Sequence, residues 1–153
     1  MRLMIAALAM AAAAPAMAQT SDWRTVNTFG SGTSASLMMV DAASLKIAGG
    51  MREITITSYF AAAKTLTEGQ LFDAVRISYR FDCAAATYQT FKSVAYEGEK
   101  PILTSDTLRA MAPYGPGTVI AAIAPSVCGG DFSKFAKIAA ATPNLEGKQK
   151  YGR

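Results

Sequence analysis

The 153-residue chain contains no histidine and only two cysteines, Cys83 and Cys128. Histidine is the usual proton-transfer group near neutral pH and, with cysteine, a usual zinc ligand. Its absence excludes Ser-His-Asp chemistry, Cys-His chemistry and a Cys/His zinc site. The G-x-S-x-G and S-x-x-K motifs of serine enzymes are also missing. We therefore assign no catalytic residue, no metal ligand and no cofactor.

Charged residues are scarce as well, at 17% of the chain against 51% apolar residues. This balance and a length of 153 residues are typical of one globular domain and argue against disorder. No apolar run reaches the roughly 20 residues that a membrane-spanning helix requires, so no transmembrane segment is predicted.

The first residues have the three-part pattern of a secretory signal. Arg2 precedes the apolar run Leu3–Ala14, and an A-x-A cleavage site at residues 16–18 precedes Gln19. We predict a signal peptide over residues 1–18 that is removed on export. No cysteine follows the cleavage site, so a lipid anchor is not expected. The periplasm is the favoured location, with the cell surface or secretion as alternatives.

Export places the two cysteines in an oxidising compartment, where two thiols of a small domain usually form a disulfide. Cys83 and Cys128 are 45 residues apart. Closing a loop of that length stabilises a fold by about 4 kcal/mol in the chain-entropy description. We predict a structural Cys83–Cys128 bridge.

The charge is unevenly distributed along the mature chain. Residues 19–131 hold nine basic and ten acidic residues, which favours no nucleic-acid partner. Residues 132–153, predicted as a short helix and basic tail after the body, are strongly basic. This tail is interpreted either as a solvated, frayed terminus or as a contact for anionic glycans or lipid. Its candidate contact residues are Lys134, Lys137, Lys148, Lys150 and Arg153.

Period-two alternation of apolar residues indicates β-strands over most of the body. On the clearest strand, Leu71–Cys83, alternate residues including Cys83 share an apolar face, and Arg76 lies on the other. Residues 61–70 are interpreted as a polar connection. Six or so strands without long intervening helices predict an antiparallel sheet with one buried face. The predicted strands are Trp23–Phe29, Ser36–Val40 with a short Leu45–Ile47, Met51–Phe60, Leu71–Cys83, Thr87–Tyr96 and Pro101–Thr104.

Helical spacing begins only after the Gly- and Pro-rich residues 115–118. One predicted helix carries an apolar stripe that ends beside Cys128, and Pro125 should kink or restart it. A second is expected from Asp131 as N-cap up to Pro143, with Phe132 and Phe135 on one face. The predicted fold is α+β: an antiparallel sheet of about six strands with a C-terminal helix tethered by the disulfide to its apolar face.

Two patterns could suggest enzyme chemistry. Gly30, Gly32 and Ala35 match a dinucleotide fingerprint, but a strand rather than a helix follows them, so we interpret them as a hairpin loop. The carboxylates of Asp73 and Asp82 are predicted on opposite strand faces and those of Glu97 and Glu99 in a turn. Neither pattern assembles a nucleophile, a base and an orienting group. The tyrosines and Trp23 are interpreted mainly as core residues, with ligand stacking as the alternative.

Short motifs follow one another in order through the mature body. They are Trp23, Val40-Asp41-Ala42-Ala43-Ser44-Leu45, Tyr79-Arg80-Phe81-Asp82-Cys83, Tyr96-Glu97-Gly98 and Val127-Cys128. With the signal and the cysteine pair, this combination resembles the surface-adhesin protein E family of proteobacteria over Trp23 to Cys128. The resemblance implies a six-stranded antiparallel sheet with a C-terminal helix held by a disulfide. It also implies binding of macromolecules, since the family's namesake binds host matrix proteins such as vitronectin and laminin.

We therefore favour an exported, non-enzymatic interaction module whose partner is a host matrix protein or an anionic envelope glycan. A first alternative is an inhibitor of a periplasmic or host hydrolase such as lysozyme. A second is a hydrolase that uses carboxylates alone, which needs two of them in one cleft.

Overall fold

The alternating body folds as one antiparallel sheet in the computed structural model, which describes residues 20–152. The predicted signal peptide lies outside these residues. Six long strands follow one another in the chain, and two strands of two residues complete the sheet. The strands are β1 (Trp23–Phe29), β2 (Ser36–Ala48), β3 (Met51–Thr65), β4 (Leu71–Asp82), β5 (Thr87–Glu97), β6 (Lys100–Ser105), β7 (Ala112–Pro113) and β8 (Ala136–Lys137). Their order is β6-β5-β4-β3-β2-β1-β8, and β7 pairs with β5.

One face of the sheet packs against helix α1 (Val119–Gly129). Ile54 and Ile56 of β3 and Phe81 of β4 are at most 2% exposed in this cluster, and Ile123 of α1 is fully buried among them. Because successive strand residues alternate between faces, this is the apolar face that the sequence predicts. Removal of this apolar surface from water is the main stabilising contribution to the fold.

Helix α1 is fixed at both ends and by a covalent bond. The Thr118 hydroxyl accepts a hydrogen bond from the Ala121 amide (3.1 Å), which caps the N-terminus. Cys128 in its last turn is joined to Cys83 just after β4, with the two Cα atoms 5.7 Å apart. The predicted disulfide and the predicted tethering of helix to sheet are confirmed. The helix runs through Pro125 without restarting.

The second predicted helix is wrong in position. After α1 the chain forms turns and β8, and helix α2 spans Pro143–Tyr151. The Thr142 hydroxyl accepts a hydrogen bond from the Leu145 amide (3.1 Å), so Pro143 occupies the first helical position instead of ending a helix. Proline suits that position because its φ is already helical and the amide there has no helical partner.

The expectation of one buried sheet face is also wrong, because α2 covers part of the opposite face. A second apolar cluster lies there, and Tyr151 of α2 stacks on Tyr59 of β3 with 6.3 Å between ring centroids. The cluster contains Trp23, Leu37, Met39, Tyr59 and Ala74. The sheet is thus the middle layer between two short helices.

Strands β2 and β3 extend furthest beyond their predicted bounds, while β5 and β6 are longer by one or two residues. β3 continues to Thr65 through part of the expected connection, and β2 is continuous to Ala48 with an irregularity between Asp41 and Lys46. At this bulge, the Ser44 hydroxyl donates to the Asp41 carbonyl (2.7 Å) and accepts from the Thr55 amide (2.9 Å). Side-chain hydrogen bonds therefore replace the missing ladder bonds.

Candidate ligand-binding face

The face of the sheet opposite α1 is covered over only part of its length. Tyr59 of β3 and its partner Ala74 of β4 are buried in the cluster beneath α2. Further along the same two strands, the register continues with three polar pairs, of which every residue except Thr57 is partly exposed, and we call this row the open face. Its residues are Thr57 with Arg76, Thr55 with Ser78, and Glu53 with Arg80.

Arg76 of the open face is held by two aromatic rings and one hydrogen bond. Its guanidinium carbon lies 5.1 Å from the Trp23 ring centroid and 4.8 Å from the Tyr96 ring centroid. Its Nε donates to Oγ1 of Thr57 (3.2 Å), and Thr57 is fully buried. Within residues 20–152, neither terminal nitrogen of Arg76 hydrogen-bonds to a protein group, and no carboxylate forms an ion pair with it. The arginine therefore lies close to two aromatic rings and has no acidic partner within residues 20–152.

Arg76 lines an open cleft of about 600 Å³ between the sheet and the segment that joins β8 to α2. Its rim carries two acidic residues and a second cation. Asp22 accepts hydrogen bonds from Arg24 (2.9 Å) and forms an ion pair with Lys137 (3.2 Å). Glu99 accepts a hydrogen bond from the Thr142 hydroxyl (2.7 Å). The rim acids are thus engaged by groups other than Arg76.

The pKa of Asp22 is set by two opposing influences. Partial burial raises it, but hydrogen bonds and charge from Arg24 and Lys137 outweigh the burial and hold the pKa below its ordinary value. Asp22 is consequently ionised at neutral pH. It is unsuited to the general-acid role that a carboxylate-only hydrolase requires, because that role needs a raised pKa.

A second depression of about 300 Å³ continues the open face. Glu53 and Phe91 line it, and both contact the neighbouring Arg80, which pairs with Glu53 (2.6 Å) and has its guanidinium carbon 5.2 Å from the Phe91 ring centroid. Ser21 lines both this depression and the Arg76 cleft, so the two adjoin. Arg80 differs from Arg76 in having its own carboxylate, and only Arg76 of the two has charge available for a ligand.

The candidate basic residues lie on three different segments. Lys134 is in the turn after α1, with its Nζ 4.9 Å from the Phe135 ring centroid. Lys137 is on β8 and lines the Arg76 cleft, where it pairs with Asp22. Lys148 and Lys150 are exposed on α2. Arg153 lies outside the described residues. Lys137 is the member of this set that lines the Arg76 cleft.

Three of the four carboxylates weighed in the sequence, those of Asp73, Asp82 and Glu99, have structural partners. Asp73 accepts a hydrogen bond from the Gly98 amide (3.1 Å), and Asp82 accepts from the amides of Ala84 (3.1 Å) and Ala85 (3.0 Å) in the turn after β4. Glu97 is exposed. Asp73 and Asp82 thus stabilise turns at opposite ends of β4.

The residues that match the dinucleotide fingerprint form a loop. Gly32–Ser34 is a single 3-10 turn between β1 and β2, and the amide of Ala35 bonds back to Gly32. The hairpin-loop interpretation is confirmed, since no phosphate-binding helix follows the glycines.

Membrane and metal sites are not found in the part of the chain that the structure describes. Between residues 20 and 152, neither helix is long and apolar enough to cross a bilayer. The same residues contain no group of three or more Asp, Glu, Cys or His side chains placed to hold a metal ion.

The fold and the open face define a class: a disulfide-tethered antiparallel α+β module with one sheet face partly free. The chain belongs to the surface-adhesin protein E family, whose sequence profile matches residues 23–129. No curated protein and no solved structure gave a match. The predicted family is therefore confirmed, and the match covers both rings that stack on Arg76, Trp23 and Tyr96.

Sequence reasoning placed Arg76 on the polar face of β4 but did not select it as a site residue. The stack joins β1, β4 and β5, and no local pattern links residues so far apart in the chain. The sequence contained one usable signal: Trp23 and Tyr96 both belong to the motifs that carry the family resemblance. Tyr96 is half-exposed, whereas Trp23 is buried at 9% exposure.

Proposed function

We propose that this protein is an exported, non-enzymatic interaction module that binds a macromolecule of the envelope or of a host through its open face. One observation carries the proposal. Arg76 is fixed between Trp23 and Tyr96 in an accessible cleft, and no acidic residue between positions 20 and 152 pairs with it. A preorganised cation beside aromatic rings loses little conformational entropy when it binds a partner, and arginine and aromatic residues dominate binding energy at interfaces.

Export supports this function and is part of the proposal. The signal-like residues 1–18 and the disulfide both suit an oxidising compartment. We propose the periplasm as the location, with the outer surface or secretion as alternatives that fractionation of cells would distinguish. Membership of a family named for surface adhesion favours a partner outside the cytoplasm.

A non-enzymatic role agrees with the chemistry of the cleft. The two carboxylates there, of Asp22 and Glu99, would have to divide acid and base roles in a hydrolase. Asp22 has a lowered pKa and two cationic neighbours, so it does not hold a proton at neutral pH. The ion pairs of Asp22 instead join β1 to β8 and support the wall of the cleft.

A blocking substitution tests the open face directly. Ser78 lies between Arg76 and Arg80 on β4, and Ser78→Trp would fill the face with a large ring. The mature chain is immobilised, and its binding to vitronectin, laminin and purified envelope polysaccharide is measured by biolayer interferometry. We expect binding to at least one of these, loss of that binding in Ser78→Trp, and retention in Ser133→Trp on the exposed turn after α1. Equal binding by both variants, or no binding by the parent protein, contradicts the proposal.

The basic residues near the C-terminus are proposed as a secondary contact for anionic surfaces. Lys148 and Lys150 are exposed and form no ion pair within residues 20–152, whereas the exposed Lys134 lies against the Phe135 ring and Lys137 pairs with Asp22. Because residues 148–151 belong to α2, charge removal is a cleaner test than truncation. Lys148→Gln with Lys150→Gln should weaken binding to anionic vesicles and flatten its dependence on salt. Unchanged binding in a co-sedimentation assay contradicts the role.

A further inference from the structure

We propose that the Arg76 cleft binds the carboxylate of a sugar acid, that is, a uronic-acid unit of an acidic glycan. This inference rests on the proposed interaction function and names the chemistry that the open face recognises. It assigns one role to Arg76 and another to the polar side chains around it. Arg76 receives the ligand carboxylate, and the oxygen-bearing side chains of the rim receive its hydroxyl groups.

The geometry of Arg76 favours a planar anion. Trp23 and Tyr96 lie 5.1 and 4.8 Å from its guanidinium carbon, and Thr57 accepts from its Nε at 3.2 Å. The remaining donors are the two terminal nitrogens, which lie in the guanidinium plane. Two parallel N–H groups of this kind match the two oxygens of a carboxylate. Because the side chain is already held on three sides, little ordering is required when the ligand binds.

The charges around the cleft disfavour binding of a ligand with several closely spaced negative charges. Asp22 and Glu99 line it together with Arg76 and Lys137, so the formal charges of the two cations and two acids cancel. Closely spaced sulfates or phosphates would meet Asp22 and Glu99 as well as Arg76 and would be repelled. A ligand with one negative charge among neutral groups avoids this repulsion. The cleft therefore favours a single carboxylate.

The other polar groups of the cleft suit a ligand with many hydroxyls. The side chains of Thr20, Ser21 and Thr142 line it, and the two acids are hydrogen-bond acceptors. Sugar hydroxyls can donate to Asp22 and Glu99, which a bare carboxylate cannot do. The volume of about 600 Å³ falls in the ordinary range for small-ligand sites and can contain one or two sugar rings.

The only tryptophan of the chain reports on this site, because it is the residue stacked on Arg76. The disulfide-bonded mature protein is titrated with glucuronic acid, with glucose as the uncharged counterpart and with a short peptide that has a free C-terminal carboxylate. We expect a saturable change in Trp23 fluorescence with glucuronic acid and at least about tenfold weaker responses to the other two. Glucuronate should also shift the Nε–H resonance of Arg76 in the unaltered protein, which needs no variant.

Substitutions at Arg76 complete the test. Arg76→Gln should weaken glucuronic acid binding by about tenfold or more, and Arg76→Lys should weaken it less, since lysine keeps the charge but loses the paired donors. Arg109→Gln is the control, because it removes the same charge from an exposed residue that lines neither depression. Circular dichroism verifies that each variant is folded.

Several outcomes would overturn the inference. They are an unshifted Arg76 resonance, equal responses to glucose and glucuronic acid, or tighter binding of the peptide. If these occur while Ser78→Trp still abolishes binding to a matrix protein or polysaccharide, the sugar-acid specificity fails and the proposed function stands. If no macromolecule binds while glucuronic acid does, the proposed function fails and the site stands.

Discussion

Gly147 of α2 lies directly against the ring of Tyr59 on β3. A Cβ atom added at Gly147 would come within 2.5 Å of both the Cβ and the Cδ1 atoms of Tyr59. The buried ring has no room to move, because Tyr59 is 1% exposed and Tyr151 stacks on it. The helix can therefore approach the sheet only because this residue has no side chain.

The close approach predicts the effect of Gly147→Ala. Alanine favours an isolated helix over glycine by about 1 kcal/mol, so propensity alone predicts stabilisation. Overlap with Tyr59 should outweigh this, because overpacking a buried contact costs about 1–3 kcal/mol and overlap with a ring that cannot move belongs in the upper half of that range. We expect a net loss of about 1–2 kcal/mol in the free energy of unfolding, measured by urea denaturation.

Gly129 provides a matched control for that substitution. It also lies in a helix, at the end of α1, and an added Cβ there would meet no atom within 4 Å. Gly129→Ala should leave stability unchanged or raise it slightly. Equal effects of the two substitutions on stability would show that overlap with Tyr59 does not determine the effect of Gly147→Ala.

The error in placing the second helix has a specific cause. Phe132 and Phe135 have helical spacing and are buried, but they pack from a turn next to β8. Proline can follow the end of a helix, which is the basis of the predicted stop at Pro143, but Thr142-Pro143 is also a common way to begin one. The strand periodicity was more reliable, because it repeats over many residues and each strand is bounded by turn residues.

The candidate site was less predictable than the fold. A lone arginine on the polar side of a strand, such as Arg76, is ordinarily solvated, and nothing nearby in the sequence marks it. Its partners Trp23 and Tyr96 come from the two ends of the sheet body, so the stack exists only once the register β1-β2-β3-β4-β5 is formed. Long-range side-chain geometry of this kind has no local signature.

The disulfide predicts a large change in stability when both of its cysteines are replaced. Cys83→Ser with Cys128→Ser opens a 45-residue connection between sheet and α1, which should cost about 4 kcal/mol in the free energy of unfolding. Thermal denaturation of the double variant, and of the parent protein under reducing conditions, should show the same fall in melting temperature. An unchanged melting temperature in either case would refute a stabilising role for the bridge.

Replacing the buried Asn144 at the start of α2 by aspartate should destabilise the fold in a pH-dependent way. It is 2% exposed, and its Nδ2 donates to the Gly98 carbonyl (2.7 Å). In Asn144→Asp an ionised carboxylate would face that carbonyl, which should lower the free energy of unfolding by about 3 kcal/mol. The favourable interaction of the new charge with the dipole of α2 returns only about 0.3–1 kcal/mol, so the variant should be less stable.

The Asn144→Asp defect should diminish as the pH falls. Burial would raise the pKa of the new carboxyl, and its protonated form can donate to the Gly98 carbonyl again. Denaturation at several pH values, with the exposed Asn27→Asp as control, measures this. A defect of equal size at pH 4 and pH 8 would mean that the introduced charge is not its cause.

The contribution of Asp22 to stability should have the opposite pH dependence, because its partners in the folded protein favour its charged form. Hydrogen bonds and charge from Arg24 and Lys137 overcome the effect of burial and lower its pKa in the folded protein. The resulting stabilisation is complete above the unfolded-state pKa of about 3.9 and is lost as the pH falls through the lower folded-state value. Asp22→Asn should therefore reduce stability by about 1 kcal/mol at neutral pH, a modest value because the carboxylate is 27% exposed.

The difference in unfolding free energy between the parent protein and Asp22→Asn should begin to shrink below about pH 4, where Asp22 of the unfolded chain starts to bind a proton, and it should continue to fall as the pH approaches the lower folded-state pKa. Asp106→Asn is the matched control, because Asp106 is 75% exposed and lies 3.9 Å from Lys92, so its removal should have almost no effect at any pH. Urea denaturation from pH 3 to pH 7 gives both curves. A constant difference over that range would show that Asp22 acts through packing and not through its charge. A difference that shrinks on the acid side would show that the pairs with Arg24 and Lys137 add to the backbone pairing between β1 and β8.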